Sequence, residues 1–291
     1  MKFKDNMNAY SDGYWLSADG LRLHYRDYPG RADRPPLLCL PGLTRNARDF
    51  ENLAERLAGE WRVLCPEMRG RGGSAYAPGW QTYTPLQYVT DVKALLEQTG
   101  IARFAAIGTS LGGLMTMLLT MTESSSIAGA LLNDIGPVLE IAGFERIRGY
   151  VGQGRSFADW TEAARALAKT QEVAYPDYQP DDWLAMARRL MITGADGRIV
   201  FDYDMKIGEA LNQPSSGPAV DLWPGLEALA GRPVLLVRGD LSDLLAAETL
   251  VEMRQRLPDA EVVTLSRIGH APTLDEPEVT AAIDRWLAQV A

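Results

Sequence analysis

Apolar residues along the chain form two alternating patterns, short continuous runs and stripes with helical spacing. Residues 37–40 form a continuous run of the kind found in strands buried on both faces of a sheet, and further strand-like segments occupy residues 61–65, 103–107, 128–133, 233–237 and 261–265. The helical patterns occupy residues 46–57, 85–98, 114–119, 246–257 and 277–289. Residues 14–28 predict a hairpin with Asp19 and Gly20 in its turn. Strands that alternate with helices predict an α/β fold with a mainly parallel, doubly wound sheet.

Residues 138–220 interrupt this alternation after the sixth predicted strand. They contain helical stretches at 160–168 and 182–191 but few convincing strands. We therefore predict a helical cap at 138–220, inserted into a core domain formed by residues 1–137 and 221–291. The aromatic side chains of this segment either line a ligand pocket or pack the cap onto the core.

The sequence GTSLGG at 108–113 lies directly between a predicted strand and a predicted helix. A strand that turns at once into a helix holds the residue at the turn in a strained conformation, and only small residues fit around it. This context predicts a nucleophile elbow in which Ser110 is exposed at the end of the sheet. Ser110 is thus the candidate nucleophile.

A serine hydroxyl needs a base within hydrogen-bonding reach, and the base is normally an imidazole. The chain has two histidines. His24 lies within an alternating strand, where a structural role is expected. His270 lies in a loop directly after the strand that ends near Leu265, where a doubly wound sheet carries its functional loops. We therefore predict that His270 is the base.

The base in turn requires a carboxylate on its other ring nitrogen. Three aspartates follow core strands. We prefer Asp243, because Asp240 comes directly after a turn glycine and is expected to fix its loop through an Asx-type bond. Asp134 is the third candidate, and its alternative role is to shape the exit of the chain into the cap.

Acyl transfer also requires donors for a developing oxyanion. The backbone N–H of Leu111, directly after Ser110, is expected to be one donor. The second is expected from the loop after the strand at 37–40, namely the N–H of Leu43, with Gly42 allowing close approach of the backbone.

The composition of the chain limits the kinds of molecule that it can bind and the compartment in which it is expected. The chain has 291 residues and a net charge of −9, and it lacks the clustered basic residues that a nucleic acid requires. The most apolar stretch, 104–119, is too short to span a membrane, and the first residues lack the pattern of a secretory signal. Cys39 and Cys65 end strand-like runs and are expected to be buried free thiols. We expect a cytoplasmic protein with a small-molecule substrate and without a cofactor or metal ion.

Taken together, these motifs resemble those of the α/β-hydrolase fold superfamily, in its capped, esterase-like branch. The resemblance covers nearly the whole chain, and its segments are 40–43, 66–74, 108–113, 238–243 and 269–278. The order Ser, Asp, His along the chain is the one that this fold uses. Two positions depart from the pattern: Pro41 stands where a histidine is usual, and Glu67 stands where aspartate is common.

The resemblance implies a serine hydrolase that cleaves a carboxylic ester or lactone through an acyl-enzyme on Ser110. Three alternatives differ in the chemistry at this site. Hydrolysis of a carbon–carbon bond in a β-diketone remains within the class, an acyltransferase would pass the acyl group to another acceptor, and a low-turnover ligand receptor would use the same fold. Epoxide hydrolases and haloalkane dehalogenases are disfavoured, because they carry aspartate at the elbow.

Overall fold

The core of the protein is an eight-stranded sheet, seen in a computed structural model that describes residues 9–213 and 220–291. Its strand order is β1-β2-β4-β3-β5-β6-β10-β11. The strands are β1 (Ser11–Leu16), β2 (Arg22–Tyr28), β3 (Leu37–Leu40), β4 (Val63–Glu67), β5 (Phe104–Thr109), β6 (Ile127–Asn133), β10 (Val234–Gly239) and β11 (Glu261–Leu265). β1 and β2 form the predicted hairpin, β2 also pairs antiparallel with β4, and the remaining pairs are parallel. The mostly parallel sheet of the prediction is confirmed.

Helices cover both faces of this sheet. They are α1 (Glu51–Leu57), α2 (Pro85–Gln98), α3 (Leu111–Glu123), α8 (Trp223–Glu227), α9 (Ala247–Arg256) and α10 (Pro277–Val290). Alternate strand residues enter two separate apolar clusters: Leu38 and Leu40 pack in the cluster that includes α2 and α3, whereas Leu37 and Cys39 pack in the one that includes α1 and α10. Burial on both faces explains why β3 is continuously apolar.

Residues 138–213, which follow β6 and are here called the insert, contain helices and strands of their own. It contains the helices α4 (Ile141–Tyr150), α5 (Trp160–Gln171), α6 (Pro180–Leu190) and α7 (Lys206–Leu211). It also contains a small antiparallel sheet of β7 (Ser156–Phe157), β9 (Ile199–Phe201) and β8 (Met191–Thr193). The expectation of an almost purely helical segment was therefore incomplete, because strands of two or three residues are too short to show an alternating pattern. Residues 214–219 of the predicted cap lie outside the described residues.

Aromatic side chains fill the interior of the insert. Tyr175 stacks on Tyr178 with ring centroids 4.6 Å apart, and Trp183 meets both rings edge to face. These side chains belong to an apolar cluster of the insert that also includes Phe157 and Leu167. Both interpretations of the aromatic residues hold, because five of the nine in this segment also line the cavity at Ser110, namely Tyr150, Phe157, Tyr175, Phe201 and Tyr203.

Several smaller expectations concern the termini and the cysteines. Cys39 and Cys65 are buried free thiols on the neighbouring strands β3 and β4, as predicted. Among the described residues, no helix is long and apolar enough to cross a membrane. The first segment, residues 1–8, lies outside the described part of the chain.

Candidate active site

Ser110 occupies the sharp turn between β5 and α3. Its backbone has φ 53° and ψ −117°, a region that residues with side chains rarely adopt. Three glycines around Ser110 leave no room for a side chain. A Cβ added at Gly108 would lie 2.5 Å from the Gly112 carbonyl oxygen, and one added at Gly112 would lie 1.9 Å from the Leu40 carbonyl oxygen. A Cβ added at Gly113 would lie 2.2 Å from the Ile135 side chain. The backbone at Ser110 therefore has the geometry that the GTSLGG sequence predicts.

A continuous hydrogen-bonded chain joins Ser110 to His270 and Asp134. The Ser110 Oγ lies 2.8 Å from His270 Nε2, and His270 Nδ1 lies 2.8 Å from Asp134 Oδ2. Because an ionised carboxylate only accepts hydrogen bonds, Nδ1 is assigned the proton and Nε2 is left to accept the proton of the serine hydroxyl. Asp134 is fully buried, and the His270 side chain is 8% exposed. This is the arrangement that a serine nucleophile and its base require.

The preference for Asp243 as the partner of His270 is wrong in this structure. Both carboxylate oxygens of Asp243 accept hydrogen bonds from Arg146 of helix α4, at 2.5 and 2.8 Å. Asp240 accepts a hydrogen bond from the backbone N–H of Arg267 at 2.6 Å, which joins two loops that are distant in sequence and is not the local Asx-type bond expected for it. Asp134, which sequence reasoning ranked below both, follows β6, and β6 is hydrogen-bonded to the strand that carries Ser110.

The loop after β10 stabilises the Asp134 carboxylate instead of replacing it. The backbone N–H of Gly239 donates to Asp134 Oδ1 at 2.9 Å, and the Ser242 hydroxyl donates to Oδ2 at 2.6 Å. A buried carboxylate is costly unless such donors surround it. Sequence reasoning missed Ser242, because a serine in an exposed-looking loop gives no signal of the carboxylate that it meets.

The two predicted oxyanion donors lie beside Ser110. Leu43 lines the cavity at Ser110, and Leu111 begins α3 directly after it. Within residues 9–213 and 220–291, neither of these two backbone amides donates a hydrogen bond to another protein group. A Cβ on Gly42 would lie 3.8 Å from the Ser110 Cβ, so the loop passes close to Ser110 as predicted.

Arg71 fixes the Leu43 loop and was not predicted. Its Nε donates to the Leu43 carbonyl oxygen at 2.6 Å, and its Nη1 donates to the Arg69 carbonyl oxygen at 2.7 Å. The Arg71 side chain is fully buried, with its guanidinium over the ring of Tyr88. The glycine-rich segment at 66–74 thus contributes an arginine that orients the loop with the candidate oxyanion donor.

The insert makes hydrogen bonds to the residues directly before and after His270. The Ala174 carbonyl oxygen accepts a hydrogen bond from the backbone N–H of Gly269 at 2.6 Å. The Tyr175 hydroxyl donates to the Ala271 carbonyl oxygen at 2.7 Å and accepts from the Ala271 N–H at 3.1 Å. The position of the imidazole therefore depends on two residues of the insert.

A cavity of about 130 Å³ opens at Ser110 between the core and the insert. Apolar and aromatic side chains form much of its wall, including Phe50, Ile147, Tyr150, Leu167 and Phe201. Four lining residues carry a full charge, namely Arg45, Asp49, Arg155 and Arg189. This is the mixed lining, mostly apolar with a few polar groups, that is typical of small-molecule sites.

His24 has the structural role expected for it. Its ring nitrogens lie 2.8 Å from Glu67 Oε2 and 2.8 Å from Asp12 Oδ1. Burial acts to lower the pKa of His24, but the two carboxylates outweigh burial and raise it. Glu67 also accepts hydrogen bonds from the backbone N–H groups of Ala47 and Gly73, at 3.1 and 2.6 Å, so the glutamate at this unusual position organises two loops.

The described residues contain no group of three or more histidine, cysteine, aspartate or glutamate side chains that could hold a metal ion.

Comparison with known proteins supports the class that the fold and the elbow indicate. The model of the alpha/beta hydrolase family matches residues 37–283. The chain belongs to this family, and it is a hydrolase. The fold class and the resemblance to the α/β-hydrolase fold superfamily are confirmed.

Individual relatives span nearly the whole chain. The 3-hydroxybutyrate-oligomer hydrolase of Cupriavidus necator is 34% identical over 270 residues, which cover 90% of this chain and 92% of that protein. The 2-(acetamidomethylene)succinate hydrolase of Mesorhizobium japonicum is 24% identical and covers 84% of this chain and 85% of its own. A crystal structure of an alpha/beta hydrolase from Novosphingobium aromaticivorans is 60% identical, with a TM-score of 0.94, and covers 98% of this chain and all of its own.

Proposed function

We propose that this hydrolase cleaves small-molecule carboxylic esters or lactones through an acyl-enzyme on Ser110. The single observation that carries the proposal is the hydrogen-bonded chain from Ser110 through His270 to Asp134, with both links at 2.8 Å. A hydroxyl held against an imidazole, which is itself held by a buried carboxylate, is the arrangement that activates serine in acyl transfer.

The proposed reaction runs in two halves. Ser110 Oγ attacks the carbonyl carbon while its proton passes to His270 Nε2, and the oxyanion accepts hydrogen bonds from the N–H groups of Leu43 and Leu111. His270 then gives this proton to the departing alkoxide, which leaves as an alcohol. A water molecule repeats the sequence on the acyl-enzyme, with His270 as base, and releases the carboxylic acid and free Ser110.

Asp134 keeps the imidazole in the correct tautomer and stabilises the imidazolium that forms in each half. We further propose that the insert acts as the cap of the site, because it contributes Ile147, Tyr150 and Tyr175 to the wall of the cavity. Closure over the ester would exclude water from the charged intermediates and strengthen their stabilisation.

The choice of substrate is supported by the relatedness to the 3-hydroxybutyrate-oligomer hydrolase, since the monomers of such an oligomer are joined by ester bonds. Suitable substrates are the linear dimer and trimer of 3-hydroxybutyrate, together with p-nitrophenyl acetate, p-nitrophenyl butyrate and γ-butyrolactone.

The decisive experiment compares wild type with Ser110→Ala. We expect wild type to hydrolyse at least one of these substrates and to form a covalent adduct on Ser110 with a fluorophosphonate, detected by mass spectrometry. Ser110→Ala should retain the circular dichroism spectrum of wild type and lose both turnover and labelling. Full activity of the folded Ser110→Ala variant, or an adduct only at another residue, would overturn the proposal.

A further inference from the structure

The charge of the cavity differs in sign from the charge of the whole protein. The chain carries a net charge of −9, yet three of the four fully charged residues that line the cavity are arginines. Only Asp49 carries a negative charge on this wall. A concave, mostly apolar site concentrates the field of such side chains and attracts ligands of opposite sign.

Arg45 and Ser110 both lie beside Gly42. A Cβ at Gly42 would lie 3.1 Å from Arg45 Cγ and 3.8 Å from the Ser110 Cβ, so the stem of Arg45 and the nucleophile border the same small space. Its Nε donates to Asp49 Oδ2 at 2.5 Å. In the described part of the chain, its two Nη nitrogens donate to no acceptor, and 27% of the side chain is exposed.

Arg189 adds a second positive charge to the wall. It lies in the last turn of α6, and the Arg48 side chain fixes its carbonyl oxygen with a hydrogen bond of 3.0 Å. Its Nη1 is 3.5 Å from Asp275 Oδ2, while its Nε is buried and has no partner among the residues described. Arg189 and Arg45 line the same cavity, so both positive charges act on one site.

We propose that the cavity selects esters that carry a carboxylate close to the scissile bond, and that the Nη nitrogens of Arg45 bind this carboxylate. The planar guanidinium of arginine matches a carboxylate in a two-pronged hydrogen-bonded pair, which a water-exposed point charge does not provide. Arg189 strengthens the interaction by its charge. This inference rests on the proposed ester hydrolysis, because it names the class of ester that the same site takes.

The negative charge of Asp49 opposes the binding of an anionic substrate at Arg45. Its Oδ2 accepts from Arg45, while its Oδ1 is buried without a hydrogen-bond partner among the described residues. Replacing Asp49 by asparagine should free the guanidinium for a ligand and raise the affinity for an anion. Replacing Arg45 should lower it. A purely structural role of the pair would instead make both substitutions act in the same direction.

The test uses binding, which does not depend on turnover. In the Ser110→Ala background, calorimetry compares the linear dimer of 3-hydroxybutyrate, whose free carboxylate is two carbons from the bridging ester oxygen, with the methyl ester of the same dimer. We expect the free acid to bind at least about tenfold more tightly, because hydrogen bonds to charged groups contribute more than neutral ones. Arg45→Met should remove this preference, Arg45→Lys should keep part of it, and Asp49→Asn should increase it.

Arg188→Met is the matched control, because Arg188 is exposed, precedes Arg189 on the same helix and does not line the cavity. It should keep the full preference for the acid, whereas Arg189→Met should reduce it. Circular dichroism shows whether each variant is folded. If Arg45→Met does not fold, Arg45→Lys and Arg189→Met test the carboxylate site in its place. Equal affinity of the acid and the methyl ester, or an intact preference in the folded arginine variants, would overturn the carboxylate site.

Turnover by wild type separates this outcome from the fate of the proposed function. If wild type hydrolyses neither the acid, the methyl ester nor the neutral p-nitrophenyl esters, the ester hydrolase proposal fails, while the binding preference still decides the carboxylate site. If wild type hydrolyses the methyl ester as efficiently as the acid and binds both equally, the carboxylate site fails and ester hydrolysis stands.

Discussion

Arg146 of the insert and Asp243 of the core form a two-pronged ion pair, with Nε to Oδ2 at 2.5 Å and Nη2 to Oδ1 at 2.8 Å. Burial acts to raise the pKa of Asp243, but the hydrogen bonds from Arg146 outweigh burial and hold it below its usual value. The backbone carbonyl oxygen of Asp243 also accepts a hydrogen bond from Gly143 at 3.0 Å. Asp243 therefore joins the insert to the core, and the carboxylate beside His270 comes from Asp134.

The two aspartates should respond differently to the same substitution. We expect Asp134→Asn to lower kcat by about 10²- to 10⁴-fold, because an amide cannot hold the imidazole in the required tautomer or stabilise its protonated form. Asp243→Asn should change kcat by less than about threefold, since a partly exposed ion pair contributes roughly 0–1 kcal/mol. Steady-state kinetics on p-nitrophenyl butyrate measure both effects. A greater loss in folded Asp243→Asn than in Asp134→Asn would contradict the observed pairing.

The Tyr175 hydroxyl should act on the reaction through the loop that carries His270. Tyr175→Phe removes both hydrogen bonds to Ala271. We expect kcat to fall by about 10- to 100-fold with a smaller change in KM, because small displacements of a reacting group are costly. The rate of fluorophosphonate labelling at Ser110 should fall in parallel.

Tyr178→Phe provides the control for this change. The Tyr178 hydroxyl makes no hydrogen bond within the residues described, and its ring stacks on Tyr175 in a way that phenylalanine preserves. We expect nearly wild-type kinetics. Equal losses in the two variants would show that general packing of the aromatic cluster, and not the Ala271 contact, sets the rate.

His24 should make the stability of the protein depend on pH. Its pKa is raised in the folded protein, since Glu67 and Asp12 outweigh the effect of burial. A raised folded pKa stabilises the protein fully below the unfolded value of about 6.5, and this contribution is lost as the pH rises through the folded pKa. Urea unfolding between pH 6 and pH 9 should give a steeper decline of the free energy of unfolding for wild type than for His24→Gln. Parallel curves would speak against this linkage.

Replacing glycine by alanine should have opposite effects on stability at Gly112 and Gly149. Gly112→Ala would place a Cβ 1.9 Å from the Leu40 carbonyl oxygen, a backbone atom that cannot turn away. We expect a loss of about 4 kcal/mol or more in the free energy of unfolding, or no folded protein. Gly149→Ala in helix α4 meets no atom within 4 Å. It should stabilise the protein by about 0.5–1 kcal/mol. Urea unfolding measures both, and a stable Gly112→Ala variant would contradict the geometry of the elbow.

Local patterns predicted most of the fold. The strands at Leu37–Leu40 and Glu261–Leu265 and the helix at Pro85–Gln98 have their predicted bounds. Leu37–Leu40 is a continuous apolar run that is buried on both faces, Glu261–Leu265 is a partly buried edge strand, and Pro85 marks a helix start. These signals depend only on neighbouring residues. The predicted helix at 46–57 begins as a 3-10 turn at Ala47–Phe50 before α1, because Asn46 caps that turn through its side chain.

The insert was harder to predict for a physical reason. Its three strands are only two or three residues long, so they show no alternating pattern of apolar and polar residues. In addition, β7 pairs with β9 across more than 40 residues of chain. The contacts of Ala174 and Tyr175 with the His270 loop likewise join residues that lie 95 or more positions apart.

The sequence by itself determined the class of the fold, the elbow at Ser110 and the loop that carries His270, because each of these follows from short-range periodicity and from the steric needs of one turn. Only the tertiary structure decided which carboxylate serves His270, what Asp243 does instead, and which arginines line the cavity. Three aspartates end core strands and look alike in the sequence. Their roles depend on the order of strands in the sheet and on which insert side chain reaches each loop, and these are contacts between residues far apart in the chain.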